Sequence, residues 1–156
     1  MTQLIHMTGN IFDTKSLGIG HGVNVDGVMG HGIAVQFRNR FPIMHEAYVL
    51  VCKQNSLEPG QTMIWPIQLA GGKFQGYIFN IASQDRPGRN ARMEWLRQGV
   101  KASLEHAEQA GMSSIALPRI GSGIGGLDAA EVEKLLTSLA AQSPVDIELW
   151  TLPAKD

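Results

Sequence analysis

The segment ALPRIGSGIGGLD (116–128) places a glycine-rich loop between an apolar run and a helical pattern. Its glycines have the G-x-G-x-x-G spacing of dinucleotide-binding loops, but such a unit also requires an acidic residue at the end of the next strand. Here Asp146 begins the next predicted strand and Glu148 lies inside it, which argues against a dinucleotide fold. The sequence contains no G-K-[ST], so the loop is not a P-loop either. These observations favour a different phosphate ligand.

Glycine is concentrated in two parts of the chain. Six of the 18 glycines lie between Gly18 and Gly32, and four lie between Gly121 and Gly126. Glycine allows backbone N–H groups to approach a phosphate closely, and successive N–H groups form anion-binding concavities. We therefore expect the two segments to form two walls of one site. The alternative is a pair of tight turns that bind nothing.

Apolar runs typical of strands alternate with segments in which apolar residues recur every three or four positions, as in helices. This order predicts one α/β domain over residues 1–156, with a largely parallel or mixed sheet covered on both faces. Each glycine-rich segment follows a strand and precedes a helix, so we expect both to meet at the carboxyl edge of the sheet, each with a helix N-terminus facing an anion. The predicted strands are 3–7, 18–25, 62–67, 76–82, 113–120 and 145–152, and the predicted helices are 33–41, 43–55, 90–110 and 128–142.

The composition is that of a soluble globular protein, with 44% apolar and 17% charged residues. A formal net charge of −1 and the lack of a basic run argue against a broad nucleic-acid surface. Cys52 is the single cysteine, which excludes an internal disulfide framework and suits a reducing cytoplasm. The first residues, MTQLIHMTGN, do not have the pattern of a signal peptide, and no apolar run is long enough to span a membrane. The sequence therefore predicts a soluble, cytoplasmic protein.

Four segments together resemble one known family, the macrodomains, and in particular the branch that includes the terminal ADP-ribose protein glycohydrolase. They are TGNIFD (8–13), HGVNVDGVMGHGIAVQFRNRFP (21–42), YIFNIASQDRPG (77–88) and ALPRIGSGIGGLD (116–128). The resemblance covers nearly the whole chain. It implies a three-layer α/β/α sandwich with a mixed central sheet that binds ADP-ribose, without a metal or cofactor, and often hydrolyses ADP-ribosyl adducts.

The resemblance also implies roles for individual residues. Asn10 stands where the family has an acidic residue that accepts a hydrogen bond from the adenine amino group, and an amide oxygen can still accept that bond. Asn24 and Asp26 match the region that contacts the distal ribose, although Asp followed by Gly is also a common turn signal. The remaining ligand-binding residues match the adenine pocket and the two diphosphate loops: Ile11, Gly30, Gly32, Ile33, Ala34, Arg119, Gly121, Ser122, Gly123, Ile124, Gly125, Gly126 and Leu127.

The sequence departs from the glycohydrolase at its catalytic positions. Gln84 aligns with the catalytic lysine and Gly125 with the catalytic aspartate, so a covalent lysyl adduct with the ribose is not expected. We expect Asp128 to act as general base or to orient the ribose, and Gln84 to hold the water or a hydroxyl group. The alternatives are that Asp128 only caps a helix and that Gln84 only stabilises a loop. Ala129 replaces a tryptophan that is common in the family.

The preferred function is release of mono-ADP-ribose from glutamate or aspartate side chains of a modified protein. Two alternatives use the same pocket: a phosphatase acting on ADP-ribose 1″-phosphate, and a non-catalytic ADP-ribose reader. A nucleic acid is expected only as an ADP-ribosylated end, and the chain is expected to be a monomer. Three arginines after the central strand form either a basic rim or a solvated loop paired with Asp85 and Glu94: Arg86, Arg89 and Arg92. The spacing of the histidines and Cys52 supports neither a metal site nor a Cys–His nucleophile.

Overall fold

The computed structural model describes residues 3–122 and 125–153. Strands and helices alternate along the described chain, as the hydrophobic pattern predicts. The strands are β1 (Leu4–Thr8), β2 (Gly18–Val23), β3 (Thr62–Gln68), β4 (Phe74–Ala82), β5 (Ser114–Pro118) and β6 (Asp146–Thr151). The helices are α1 (Ile33–Arg40), α2 (Pro42–Lys53), α3 (Met93–Gln109) and α4 (Ala129–Ala141), and a 3₁₀ turn covers Ile11–Asp13.

The described strands form one mixed sheet in the order β1-β6-β5-β2-β4-β3. All neighbouring pairs are parallel except β3 and β4, which form an antiparallel hairpin. Parallel pairing brings the carboxyl ends of β1, β6, β5, β2 and β4 to the same edge of the sheet. The loops that follow these strands therefore meet there, as expected for ligand sites in open α/β sheets.

Two apolar cores lie on opposite faces of the sheet, which confirms the predicted three-layer α/β/α arrangement. Strand β4 supplies both cores, because successive side chains of a strand point to opposite faces. Its Ile78 packs in the core with α1 and α2, whereas the next residue, Phe79, packs in the core with α3 and α4. Large helix residues that are fully buried include Phe37, Met44 and Tyr48 in the first core and Leu96, Val100 and Leu136 in the second.

Three glycines of the first glycine-rich segment do not belong to a loop. Gly18, Gly20 and Gly22 lie inside β2, and each faces a tightly packed side chain of the core. A Cβ atom on Gly22 would lie 2.7 Å from both Ile120 Cγ2 and Ser83 Oγ. The expectation that this whole segment forms a wall of the site is therefore wrong for Gly18 and Gly20, where glycine makes room for packed core side chains. Gly22 and Val23, at the end of β2, line the cleft together with the loop that follows.

Helix ends follow the predicted signals. Helix α3 ends at Gln109, and Gly111 then takes a left-handed backbone conformation (φ +73°), as expected for a C-terminal stop. Asp128 caps α4, since its Oδ1 accepts hydrogen bonds from the backbone N–H groups of Ala130 (2.9 Å) and Glu131 (3.1 Å). Among the described residues, no helix has the length and apolar character needed to cross a bilayer.

Candidate functional site

A cleft with two connected compartments lies at the carboxyl edge of the parallel strands. The loop compartment, of about 450 Å³, lies between the loops that follow β2, β4 and β5. The edge compartment, of about 530 Å³, lies beside the ends of β1 and β6. The two compartments share a waist formed by residues from three sides of the cleft: Gly32, Ile33, Pro118, Arg119 and Leu152.

The first wall of the loop compartment is the loop after β2, and Asn24 organises it. The Asn24 Oδ1 atom accepts hydrogen bonds from the backbone N–H groups of Asp26 (3.0 Å) and Val28 (3.3 Å), and its Nδ2 donates to the Val28 carbonyl oxygen (2.8 Å). The buried hydroxyl of Tyr48 on α2 lies within hydrogen-bond distance of the same Asn24. Asn24 lines the compartment, whereas Asp26 is exposed and lines neither compartment.

Helix α1 begins at the waist without a side-chain cap. Its N-cap is Gly32, with φ +60° and ψ −142°, a conformation that an L side chain would strain. The first N–H groups of a helix have no partner within the helix, and the helix dipole adds positive potential at that end. Ile33 and Ala34, the first residues of α1, line the loop compartment. This end of α1 is therefore suited to an anion such as a diphosphate.

The second wall is the loop after β5. The N–H of Leu127 donates to the Gly121 carbonyl oxygen (2.7 Å), and the Ser122 hydroxyl donates to the Arg119 carbonyl oxygen (3.0 Å), so the loop folds back on itself. Gly121 and Gly125 line the compartment. The predicted ligand-binding residues Ser122, Gly126 and Leu127 stabilise the loop without lining either compartment, and Gly123 and Ile124 lie outside the described residues.

Asp128 lies beyond this wall. It is exposed, it lines neither compartment, and its Oδ1 is bonded to the first N–H groups of α4. These bonds pair the first N–H groups of α4 with a side chain of the same loop. We expected both helix N-termini to face an anion, but of the two only α1 begins without a side-chain cap. The contacts of Asp128 favour the capping interpretation over the general-base interpretation.

Gln84 follows β4 and lines the loop compartment. Its Nε2 donates to the carbonyl oxygen of Arg86 (2.7 Å) and lies 3.4 Å from that of Gly88. The amide nitrogen therefore closes the loop that follows, while Oε1 can still accept a hydrogen bond from a ligand. The buried Ser83 beside it also lines the compartment, and a one-residue shift in the sequence alignment would place Ser83 or Asp85, rather than Gln84, at the lysine position.

The edge compartment combines an aromatic wall with polar groups. Trp150 lines it and donates its indole N–H to Glu148 Oε1 (2.9 Å), which also accepts from the Thr14 hydroxyl (2.6 Å). Asn10 and Ile11 also line it. The Oδ1 atom of Asn10 accepts from the N–H of Phe12 (3.0 Å), which leaves the second lone pair of that oxygen for a ligand. Trp150 was not recognisable as a site residue from the sequence, because its place in the final strand looks like that of any core aromatic residue.

Arg119 supplies a positive charge at the waist. Its Nε donates to Thr151 Oγ1 (3.0 Å), and one terminal nitrogen lies 3.7 Å from Glu133 Oε1 on α4. These contacts hold the guanidinium between the two compartments, each of which it lines. A planar guanidinium at this point matches the geometry of phosphate oxygens.

Two histidines flank the first wall and have different surroundings. His21 is fully buried, stacks on Phe37 with ring centroids 3.8 Å apart, and bonds Asn80 through Nε2 (2.7 Å). Burial lowers the pKa of His21 to about 4, so the ring is neutral at physiological pH. His31 is exposed and lines the loop compartment. Among the described residues that line this compartment, His31 is the only histidine, and imidazole is the side chain most often used as a general base.

Comparison with known proteins places the chain in a family. A family model described as Macro domain matches residues 21–136. A DNA ADP-ribosyl glycohydrolase of Thermus aquaticus is 32% identical over 149 residues, which make up 95% of this chain and 40% of that protein. The ADP-ribose glycohydrolase OARD1 of Homo sapiens is 24% identical over 153 residues, 97% of this chain and 93% of that protein. The chain thus spans about two fifths of the length of the bacterial glycohydrolases.

Solved structures share the fold. The macrodomain of Thermus aquaticus DarG superimposes with a TM-score of 0.82 at 29% identity, over 95% of this chain and 97% of that chain. Thermosipho africanus DarTG in complex with ADP-ribose superimposes with a TM-score of 0.81 at 21% identity, over 97% of this chain and 42% of that chain.

Proposed function

Because this chain belongs to the Macro domain family, we propose that it binds ADP-ribose along the two-compartment cleft and hydrolyses the bond between ADP-ribose and a modified nucleotide of DNA. The observation that carries the binding is the uncapped N-terminus of α1 at the waist between two compartments. A diphosphate at the waist would leave the adenosine for one compartment and the distal ribose for the other. The Thermosipho africanus protein, which shares this fold over 42% of its chain, was solved in complex with ADP-ribose.

The orientation of ADP-ribose follows from the chemistry of the compartments. Adenine is a flat aromatic group, so it suits the edge compartment with Trp150 and Asn10. The distal ribose then lies in the loop compartment with Asn24 and Gln84, and its C1″ atom carries the bond to be broken. The set of ligand-binding residues predicted from the sequence is retained in this proposal, with Trp150 and Ser83 added to it.

DNA is the preferred carrier because bacterial relatives that match nearly all of this chain, at 30–32% identity, are DNA ADP-ribosyl glycohydrolases. A second candidate is the ester of a glutamate or aspartate side chain in a protein. It is favoured by the likeness to ADP-ribose glycohydrolase OARD1, of which this chain covers 93%. Both reactions release ADP-ribose with a hydroxyl group at C1″, and both consume one water.

The residues of the loop compartment suit general base catalysis rather than a covalent route. Gln84 has no amine to form an adduct with the ribose, and its Oε1 can instead accept a hydrogen bond from a ribose hydroxyl or from the water. In the proposed step, the water oxygen attacks C1″ and His31 takes up its proton. The bond from C1″ breaks with its electron pair going to the leaving atom, which gains a proton from solvent. Such base catalysis contributes roughly 10²–10⁴-fold in rate. A general-base role for Asp128 stays a prediction, which the Asp128 variants discussed below test.

Mass-spectrometric time courses on three substrates test the proposal. They are an oligonucleotide with one ADP-ribosylated base, a peptide mono-ADP-ribosylated at glutamate, and ADP-ribose 1″-phosphate, each with a no-enzyme control. We expect free ADP-ribose from the oligonucleotide well above the spontaneous rate. Release from the peptide alone would support the second candidate, and release of phosphate alone would identify a phosphatase. Tight binding of ADP-ribose in a parallel calorimetric titration, with all three substrates intact, would identify a reader.

A further inference from the structure

The loop of residues 85–92, here called the arginine loop, borders the loop compartment on the side where C1″ of a bound ADP-ribose would lie. Pro87 and Gly88 of this loop line the compartment directly. Arg86, Arg89 and Arg92 are all exposed on the same loop. A polymer attached to C1″ would have to leave the cleft past these residues.

Backbone and side-chain hydrogen bonds fix the arginine loop at both ends. Gln84 pairs with Ala91 as an isolated bridge, and the N–H of Arg92 donates to the Ser83 carbonyl oxygen (3.1 Å). Within the loop, Asn90 Nδ2 donates to the Pro87 carbonyl oxygen (2.8 Å). The N–H of Ala91 also donates to the Gly125 carbonyl oxygen (3.2 Å), which joins the arginine loop to the second wall. The loop therefore presents its arginines in a defined arrangement.

The three guanidinium groups have no carboxylate partners among the described residues. The sequence left open a solvated loop paired with Asp85 and Glu94, but Glu94 instead forms its ion pair with Arg97 and also accepts from Gln98. No carboxylate oxygen of residues 3–122 or 125–153 lies within 4.0 Å of a nitrogen of Arg86, Arg89 or Arg92. Three positive charges with only Asp85 in the same loop leave an uncompensated basic surface beside the compartment.

The neighbours of two of these arginines add to the surface. The guanidinium carbon of Arg92 lies 5.0 Å from the ring centroid of the half-buried Trp95, which gives a cation–π pair at the surface. The stem of Arg89 lies across the second wall, since a Cβ atom on Gly126 would lie 3.1 Å from Arg89 Cβ. Proteins that bind single-stranded nucleic acid combine basic groups, which contact its phosphodiester backbone, with aromatic rings on which its bases stack.

We infer that the arginine loop, with Trp95, binds the phosphodiester backbone of the DNA strand on either side of the ADP-ribosylated nucleotide. This inference rests on the proposed function, because it places the carrier of ADP-ribose outside the cleft. It also reconciles a nucleic-acid substrate with a formal net charge of −1, since three local charges contact only the phosphates next to the adduct. The binding is local rather than a broad basic face.

Binding measurements that need no turnover test this inference. The probes are free ADP-ribose and a short single-stranded oligonucleotide with one ADP-ribosylated base, titrated at two salt concentrations. The test variant is R86Q/R89Q/R92Q, and the matched control is K53Q/K73Q/K101Q, which removes the same charge at exposed positions away from the cleft. We expect the wild type and the control to bind the oligonucleotide roughly tenfold tighter than free ADP-ribose at low salt. The logarithm of the association constant for the oligonucleotide should fall with the logarithm of the salt concentration with a slope of about −2, because each of three phosphate contacts contributes roughly −0.7.

The arginine variant should keep the affinity of the wild type for free ADP-ribose. It should lose the tighter binding of the oligonucleotide and the salt dependence of that binding. Equal affinity for the two probes in the wild type, or a gain that survives in the arginine variant, would overturn the inference. Tighter binding of an acidic mono-ADP-ribosylated peptide, in place of the oligonucleotide, would also overturn the inference, because it would assign the surface to a protein carrier. If the gain for the oligonucleotide is present but no ADP-ribose is released from it, the hydrolase proposal fails while this inference stands.

Discussion

The hydroxyl of Tyr48 lies 2.7 Å from the backbone carbonyl oxygen of Asn24, and this contact joins helix α2 to the first wall of the cleft. The same hydroxyl is 3.0 Å from Asn24 Oδ1, which bonds two backbone N–H groups of the loop. Burial raises the pKa of Tyr48 well above its usual range, so the hydroxyl stays protonated and available as a donor. The shape of the first wall therefore depends on a residue that lies in the core.

Replacing Tyr48 with phenylalanine should destabilise the protein and weaken ligand binding together. Removing the hydroxyl leaves a buried carbonyl oxygen without its donor, which costs about 1–3 kcal/mol of unfolding free energy. Loosening of the wall should also reduce the affinity for ADP-ribose. Urea denaturation and calorimetric titration measure the two effects, with Tyr77→Phe, the other tyrosine of the chain, as the control. Unchanged ADP-ribose affinity in Tyr48→Phe would show that this bond does not shape the wall.

Two substitutions of Asp128 separate a cap from a general base. Asparagine caps helices as well as aspartate does but has no carboxylate, whereas alanine can neither cap a helix nor act as a base. We expect Asp128→Asn to keep stability and turnover, and Asp128→Ala to lose about 1 kcal/mol of unfolding free energy. Thermal denaturation and single-turnover rates on the ADP-ribosylated oligonucleotide measure these outcomes. A loss of roughly 10²-fold or more in rate for Asp128→Asn, with stability intact, would establish the general-base role instead.

The wild-type protein should not be trapped on ADP-ribose by borohydride. Reductive trapping requires an amine at the ribose, and Gln84 offers an amide whose nitrogen is bonded to the Arg86 carbonyl oxygen. Intact-protein mass spectrometry after borohydride treatment with ADP-ribose should therefore show no added mass. Gln84→Lys is the matched positive control, since it restores an amine at the same place. Trapping of the wild type would mean that another lysine reaches the ribose.

The buried His21 should make the protein less stable in mild acid. Its pKa falls from 6.5 to about 4 on folding, so the unfolded state binds more protons between these values and stability decreases as the pH falls through that range. At a pH below both values the loss from this group reaches about 3 kcal/mol, from 1.36 kcal/mol per pKa unit. Urea denaturation from pH 7 to pH 4, compared with His21→Gln, isolates this contribution. Equal pH dependence in the two proteins would contradict it.

Much of the fold could be predicted from the sequence because its signals are local. The strand and helix periodicity, the cap at Asp128 and the stop at Gly111 each depend on a few neighbouring residues. The glycines of β2 could not be interpreted in this way. At Gly22, for example, the side chains of Ile120 and Ser83, which come from other parts of the chain, leave no room for a Cβ atom. A glycine in a strand and a glycine in a loop look alike until the packing is known.

The candidate site was predictable only as a location. The resemblance to macrodomains identified the loops and Asn10, but contacts across the fold decide what individual side chains can do. The pairing of Glu148 with Trp150 and Thr14 brings together three residues that no motif links. Gln84 and Asp128 looked equivalent as candidates, yet one lines the loop compartment and the other bonds the end of α4.

His31 is expected to be required for turnover but not for binding. It is the only histidine among the described residues that line the loop compartment, and neither Gln84 nor Gly125 in that compartment carries a basic group. His31→Asn should therefore lower kcat by roughly 10²–10⁴-fold while calorimetry shows nearly unchanged affinity for ADP-ribose. His45→Asn on α2, which lines neither compartment, is the control. Full turnover by His31→Asn would mean that the substrate or solvent takes up the proton of the attacking water, whereas a parallel loss of affinity would make His31 a binding residue.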